Sequence, residues 1–176
     1  MSLGDPRDVV EIVDYDPRWK DLFNEERELL EDALSGLMTS IEHVGSTSIP
    51  GMASKPVIDI MVCVKKQSSP DVYIERVGPL GYIYQQQEDE PERIYFMKGM
   101  PRTYHLHFIA HDSKQYWEHI LFREYLIANK DAFEEYADLK RSLAKQYRED
   151  REGYWAGKDG FIKSTLEKAR SCMGRR

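Results

Sequence analysis

Hydrophobic positions recur along the chain with two different periods, and these periods predict its helices and strands. Between residues 18 and 37, apolar side chains follow one another three or four positions apart, which predicts an amphipathic helix ending near Gly36. Asp16-Pro17 precedes it, a capping carboxylate followed by a residue that suits the first helical position. Residues 41–44 and 57–64 are rich in β-branched side chains and predict strands, the second one central because it is apolar on both faces.

The rest of the chain divides into short strands followed by helices. A short helix and three further strands are predicted at residues 71–77, 81–84, 94–98 and 104–109, with a polar, acidic loop at 85–92. Three more helices are predicted: one capped by Asp112, one beginning near Asp131 and one beginning after Asp159. This order predicts a single α+β domain over residues 1–176, with a mixed β-sheet flanked by helices and a helical C-terminal part.

Composition and charge restrict the kinds of partner. Hydrophobic residues make up 41% of the 176 residues, which is enough for one sizeable core. The formal charge of -6 argues against nucleic acid as a partner, because such binding depends on clustered lysine and arginine. No apolar run approaches the roughly 20 residues that span a bilayer, and the start of the chain lacks the pattern of a signal peptide. We therefore expect a cytoplasmic protein that does not bind a membrane.

The first candidate for chemistry is the turn Gly45-Ser46-Thr47, which follows a predicted strand. Glycine allows a phosphate to approach the backbone closely, and Ser46 and Thr47 add hydroxyl and amide donors. The alternative is an ordinary turn without a ligand.

The second candidate is Asp59, which lies within the apolar strand at 57–64. An unpaired buried carboxylate is costly, so a cation or a hydrogen-bond partner is expected beside it. A structural ion pair with Lys55 or an arginine would satisfy Asp59 equally well.

Residues 43–51, His-Val-Gly-Ser-Thr-Ser-Ile-Pro-Gly, and residues 55–62, Lys-Pro-Val-Ile-Asp-Ile-Met-Val, resemble the GrpB family, a branch of the nucleotidyltransferase superfamily. The resemblance continues through residues 104–108, 122–126, 136–140 and 158–162. It implies a nucleotidyltransferase-like fold in which Gly45 and Ser46 grip nucleotide phosphates and Asp59 holds a divalent cation. The superfamily has a second carboxylate two positions after the first, where this chain has Met61, so two-metal catalysis is not expected from the residues present.

The resemblance also places the strand with His105 and His107 where the superfamily has its third carboxylate. Because side chains alternate along a strand, both rings share one face and can converge on Asp59. Asp59 and His107 are therefore predicted as catalytic residues, and Asp59, His105 and His107 as metal ligands. Two histidines with a carboxylate favour zinc, manganese or iron over magnesium, whereas hydrogen-bonded structural histidines are the alternative.

Basic residues complete the predicted site. Lys55, Arg102 and Arg123 are predicted to bind the phosphorylated substrate, because arginine binds phosphate with two donors and lysine contributes a point charge. Other basic residues could take the same role, and for each the alternative is a solvated surface position: Arg93, Lys140 and Lys158. The aromatic residues, Trp117 and Trp155 among them, are predicted in the core.

The predicted function is a nucleotidyltransferase-like protein that binds a nucleotide or phosphorylated small molecule with a divalent cation, Mg, Mn or Zn. Transfer of a nucleotidyl group to an unknown acceptor is the catalytic form of this hypothesis. Two alternatives are open: a non-catalytic nucleotide- or metabolite-binding module, and a metal-dependent hydrolase that uses Asp59, His105 and His107.

Overall fold

The fold was analysed in a computed structural model that describes residues 9–86 and 94–173. These residues contain five α-helices: α1 (Arg18–Ala33), α2 (Pro70–Val77), α3 (Lys114–Ala128), α4 (Lys130–Gln146) and α5 (Arg151–Met173). They also contain five strands: β1 (Ser40–Val44), β2 (Ile58–Val64), β3 (Tyr82–Tyr84), β4 (Ile94–Lys98) and β5 (Tyr104–Ala110). The predicted mixed α+β fold with a helical C-terminal part is confirmed.

The strands form one mixed sheet in the order β1-β2-β5-β4-β3. The central pair, β2 and β5, is parallel, and every other neighbouring pair is antiparallel. The register places Asp59 of β2 beside Val44 of β1 on one side and beside His105 of β5 on the other. The sheet therefore brings three sequence regions together at the middle of its surface.

One face of the sheet carries the main hydrophobic core, covered by α1 and α2. The Arg18 amide opens α1 by donating to Asp16 Oδ1 at 3.0 Å, as the sequence predicts for a helix start here. Trp19, Phe23 and Leu30 of α1 are buried at helical spacing. This core contains alternate residues of the central strands, among them Ile58, Ile60, Val62, Phe96, Leu106 and Phe108.

The opposite face is divided between apolar packing and a polar cleft. A smaller cluster of Val44, Met61, Cys63 and Ile109 packs against Tyr116 and Ile120 of α3. Asp59, His105 and His107 lie on this same face and are partly exposed. The face therefore has an apolar part under α3 and a partly exposed polar part on β2 and β5.

Three sequence predictions about the helices were wrong. The cap of α3 is Ser113, whose hydroxyl accepts from the Tyr116 amide at 3.2 Å, rather than Asp112. Helix α5 begins at Arg151, eight residues before Asp159, because α4 packs against its first turns. Trp117 and Trp155 are 44% and 63% exposed rather than buried.

The predicted strands all form, with bounds that shift by at most one residue. Of the predicted acidic loop at 85–92, residues from 87 onward lie outside the described residues, as does Arg93. Among the helices described, none is long and apolar enough to cross a membrane.

Candidate functional site

The turn after β1 is built around Gly45. Its φ of 70° and ψ of -174° belong to a region that residues with side chains rarely adopt. A Cβ at this position would lie 3.0 Å from Cβ and Cγ of Asp59 and closer still to Oδ2. Gly45 therefore allows the turn to lie directly against the Asp59 carboxylate, and the two regions predicted to share a cleft are adjacent.

The two hydroxyl residues of the turn have different surroundings. Thr47 is buried, and its hydroxyl lies 3.0 Å from Nε2 of His43, whose ring stacks on Phe23. Burial lowers the pKa of His43 to about 4, so this ring is neutral at pH 7. Ser46 is partly exposed. Ser46 thus lies nearer to solvent than Thr47, whose side chain supports the turn from inside.

Asp59 and His105 form a hydrogen-bonded pair across the parallel strands. Nδ1 of His105 lies 2.9 Å from Oδ1 of Asp59. The His105 side chain is 17% exposed and the Asp59 side chain 32% exposed. Burial pushes the pKa of Asp59 up, but the His105 hydrogen bond and the charges of His105, His107 and Lys55 outweigh it and hold that pKa well below its usual range. Asp59 is therefore an ionised carboxylate at neutral pH.

Three lysines lie around two tyrosines, Tyr136 and Tyr154. The Nζ atoms of Lys55 and Lys158 lie 5.3 and 4.7 Å from the ring centroid of Tyr154. Burial and the charge of Lys55 lower the pKa of Lys158 to about 8, although Asp59 acts in the opposite direction. The crowding of two ammonium groups on one ring creates a local surplus of positive charge.

Lys140 is the third lysine. The prediction of a surface position for it was wrong, because only 2% of the residue is exposed. Its Nζ donates to the Ala53 carbonyl at 2.5 Å and lies 4.7 Å from the Tyr136 ring centroid. Burial, with the charges of Lys158 and Arg141, lowers the pKa of Lys140 to about 6. Lys140 therefore fixes the segment that leads into Lys55, and its amine is largely uncharged at pH 7.

The remaining predicted residues divide between the cleft and its border. Arg102 lines a small cavity together with Lys55 and His105. His107 pairs in register with Met61, and its ring stacks on Tyr95 at a centroid distance of 4.9 Å.

The observed contacts of Arg123 are with β1 and with its neighbour on α3, rather than with Asp59. Its Nη1 donates to the His43 carbonyl at 2.7 Å and lies 3.6 Å from Glu42 Oε2, while its Nε donates to Glu124 at 2.9 Å. These bonds attach α3 to the strand that leads into the turn.

The side chains around Asp59 suit a magnesium site better than a zinc site. Within residues 9–86 and 94–173, no three side chains of histidine, cysteine, aspartate or glutamate form a group that could hold a metal ion. Nδ1 of His105 is directed at Asp59, so its other nitrogen faces away from that carboxylate. These residues do not fit a zinc site made by Asp59, His105 and His107 alone. They fit magnesium held by one carboxylate together with ligand phosphates, since magnesium is usually bound in that way.

The sequence prediction missed Tyr154, which joins Lys55 to Lys158. Tyr154 and Lys158 are four positions apart on α5 and share one helix face. This signal was hidden because the predicted helix began after both residues.

A separate cavity of about 300 Å³ lies along α4 and contains none of the predicted site residues. It is lined by Gly51, Ala53, Phe133, Glu134, Ala137, Asp138 and Arg141.

These features define an α+β protein in which a glycine turn lies against a strand carboxylate, with two lysines on the ring of Tyr154 nearby. The sequence model of one family, described as GrpB protein, matches residues 9–168. The chain belongs to the GrpB family.

Named relatives agree with this assignment. The UPF0157 protein YqkA of Bacillus subtilis is 37% identical over 94% of this chain, and the chain spans 48% of that relative's length. The glutamate-rich protein GrpB of Alkalihalophilus pseudofirmus is 32% identical over 93% of this chain and 98% of its own length. A crystal structure of GrpB from Enterococcus faecalis superposes with a TM-score of 0.83 and 34% identity, covering 90% of this chain and 96% of that one.

Proposed function

We propose that this protein binds a nucleotide or another phosphorylated small molecule on the polar face of the sheet, beside Asp59 and the Gly45-Ser46 turn. The observation that carries the proposal is the pair of ammonium groups of Lys55 and Lys158, both close to the Tyr154 ring. Two positive charges in a partly buried place repel each other, and an anionic phosphate relieves that repulsion. The exposed backbone of a glycine turn supplies further donors to such a phosphate.

Asp59 would hold a magnesium ion together with the ligand's phosphates. The ion would neutralise phosphate charge and fix the orientation of the phosphate chain. Asp59 suits this role because it is ionised and because only one of its oxygens is bonded to His105. The lysines would then bind the phosphate oxygens that the ion leaves uncovered.

The buried position of Met61 favours binding over nucleotidyl transfer. Met61 is fully buried in the apolar cluster under α3, so no carboxylate supports a second ion at this position. Transfer of a nucleotidyl group to an acceptor is the catalytic form of the proposal, with Asp59 and His107 as its predicted residues. A non-catalytic nucleotide- or metabolite-binding module is the second candidate, and the apolar setting of Met61 supports it.

The metal-dependent hydrolase receives less support from the geometry. It requires Asp59, His105 and His107 around a single ion, whereas His105 turns Nδ1 to Asp59 and His107 stacks on Tyr95. Activity assays with added zinc or manganese would separate this hypothesis from nucleotide binding.

Isothermal titration of the protein with pyrophosphate and with ATP, each with and without magnesium, tests the proposal. Lys158→Gln should weaken binding of both ligands by roughly ten- to a hundredfold, because a charge-assisted hydrogen bond contributes about 1.5–3 kcal/mol. Lys168→Gln removes the same charge from an exposed position of the same helix and should leave affinity unchanged. The proposal fails when neither ligand binds, or when both variants weaken binding equally.

Asp59→Asn separates the metal part from the phosphate part of the proposal. It should abolish the gain in affinity that magnesium gives to ATP, while ATP binding without magnesium is retained. An identical magnesium effect in Asp59→Asn and the unmodified protein would contradict the assigned role of Asp59.

A further inference from the structure

The polar face of the sheet continues beyond β5 into an apolar strip. Four residues on adjacent strands pair in register: Asp59, His105, Met97 and Ile83. Because paired residues point their side chains to the same face, these four form one row across the sheet. Met97 is partly exposed and Ile83 is 64% exposed. The row therefore runs from an ionised carboxylate to an apolar surface that water reaches.

The core residues of β3 and β4 show independently which face the strip lies on. Tyr82 and Phe96 are buried in the main core, on the side covered by α1 and α2. Each is followed along its strand by one residue of the strip, and successive side chains of a strand point to opposite faces. Ile83 and Met97 therefore lie on the face that carries Asp59.

Helix α3 restricts the direction in which a ligand at Asp59 can extend. The cluster that contains Val44 packs against Tyr116 and Ile120 of α3, and Val44 is only 1% exposed. Val44 is the β1 partner of Asp59, so α3 closes the row on that side. A ligand anchored at Asp59 extends in the other direction, across β5, β4 and β3.

The spacing and chemistry of the row define the ligand group that suits its far end. Neighbouring strands are about 4.8 Å apart, so Met97 lies about 10 Å and Ile83 about 14 Å from Asp59 along the sheet. A sugar hydroxyl placed there would lose water without gaining a hydrogen bond from either side chain. A flat aromatic ring loses little on leaving water and gains contact with the Met97 sulfur and with Ile83.

We propose that Met97 and Ile83 form a subsite for an aromatic ring that a sugar-sized spacer separates from the ligand's phosphate, as in a nucleotide. The inference rests on the proposed function, since the phosphate of the same ligand is bound beside Asp59. The subsite selects nucleotides over sugar phosphates, which the phosphate site alone does not distinguish.

Titration with pyrophosphate, ribose 5-phosphate and AMP, each with magnesium, tests the subsite. AMP should bind roughly five- to thirtyfold more tightly than ribose 5-phosphate, because only AMP has a ring that buries apolar surface on the strip. The double variant Met97→Gln, Ile83→Thr should remove this preference and leave pyrophosphate affinity unchanged. The control Leu29→Gln, Ile74→Thr changes exposed apolar residues of α1 and α2, on the opposite face, and should keep the preference.

Methyl NMR of the unmodified protein gives a readout that does not depend on a variant folding. The ring current of bound adenine should shift the methyl resonances of Met97 and Ile83, and ribose 5-phosphate should not. Methyl resonances that AMP does not move, or a preference for AMP that persists in the double variant, would overturn the subsite.

The remaining outcomes separate the subsite from the proposed function. Pyrophosphate binding together with equal affinities for AMP and ribose 5-phosphate would overturn the subsite and leave the proposed function intact. Self-association that Ile83→Thr abolishes would assign the strip to a second copy of the chain and also overturn the subsite. Absence of binding by all three probes would overturn both proposals.

Discussion

Replacing Gly45 by alanine tests the contact between the turn and Asp59. The backbone at Gly45 has φ 70° and ψ -174°, a conformation that costs a residue with a side chain about 1–3 kcal/mol. The new Cβ would also lie 3.0 Å from Cβ and Cγ of Asp59, and such overpacking costs about 1–3 kcal/mol more. We therefore expect Gly45→Ala to lower the free energy of unfolding by about 2–6 kcal/mol.

Gly36→Ala is the matched control for this change. Gly36 has a φ of 80°, but nothing lies within 4 Å of a Cβ built there. Its substitution carries the backbone cost alone, about 1–2 kcal/mol. The difference between the two variants isolates the close approach of Gly45 to Asp59.

Thermal unfolding followed by circular dichroism measures both variants. About 1 kcal/mol corresponds to roughly 2–4 °C in Tm for a chain of this size, so Gly45→Ala should unfold roughly 5–20 °C lower. In an Asp59→Ala background the cost of Gly45→Ala should fall, because the carboxylate that crowds the new Cβ is gone. Equal costs for Gly45→Ala and Gly36→Ala, with no coupling to Asp59, would refute the reasoning.

Three further predictions follow from the lysines and from one helix cap. Lys140 loses its proton near pH 6 in the folded protein and near 10.5 in the unfolded chain, so unfolding takes up a proton between these values and stability rises with pH across that window. Lys140→Met should flatten this rise in urea unfolding measured from pH 6 to 10, and an unchanged slope would contradict the burial of the charge. The pKa of Lys158 is about 8, and a bound phosphate raises it, so pyrophosphate binding at pH 8.5 should take up protons. Calorimetry in buffers of different ionisation enthalpy measures that uptake, and Lys158→Gln should remove it. Ser113→Ala should lower the free energy of unfolding by about 1 kcal/mol through loss of the α3 cap, whereas Ser164→Ala on the exposed side of α5 should have little effect.

The elements with strong local signals could be predicted from the sequence. The β-branched run of β2 and the alternation in β5 predict buried strands, and side-chain alternation places His105 and His107 on one face. The register then gives Asp59 and His105 as neighbours. That register cannot be read from a local sequence pattern, because it depends on which strands pair and in which direction.

The start of α5 shows how tertiary packing overrides local preference. Gly153 and Gly157 weaken the helical signal of its first turns, since glycine is a poor helix former. A Cβ on Gly157 would lie 2.5 Å from a methyl group of Leu143, so this glycine allows α4 and α5 to approach closely. The helix therefore continues through both glycines because of a contact with a distant part of the chain.

The sequence by itself determined the α+β class, the turn at Gly45, the buried strand around Asp59 and the family resemblance. These depend on local period, on turn chemistry and on short motifs, all of which can be read from neighbouring residues. Tertiary structure alone decided that Lys55 and Lys158 share the Tyr154 ring, and that His105 turns Nδ1 to Asp59. Such contacts join residues that are about fifty or a hundred positions apart, and only the folded arrangement of strands and helices places them together.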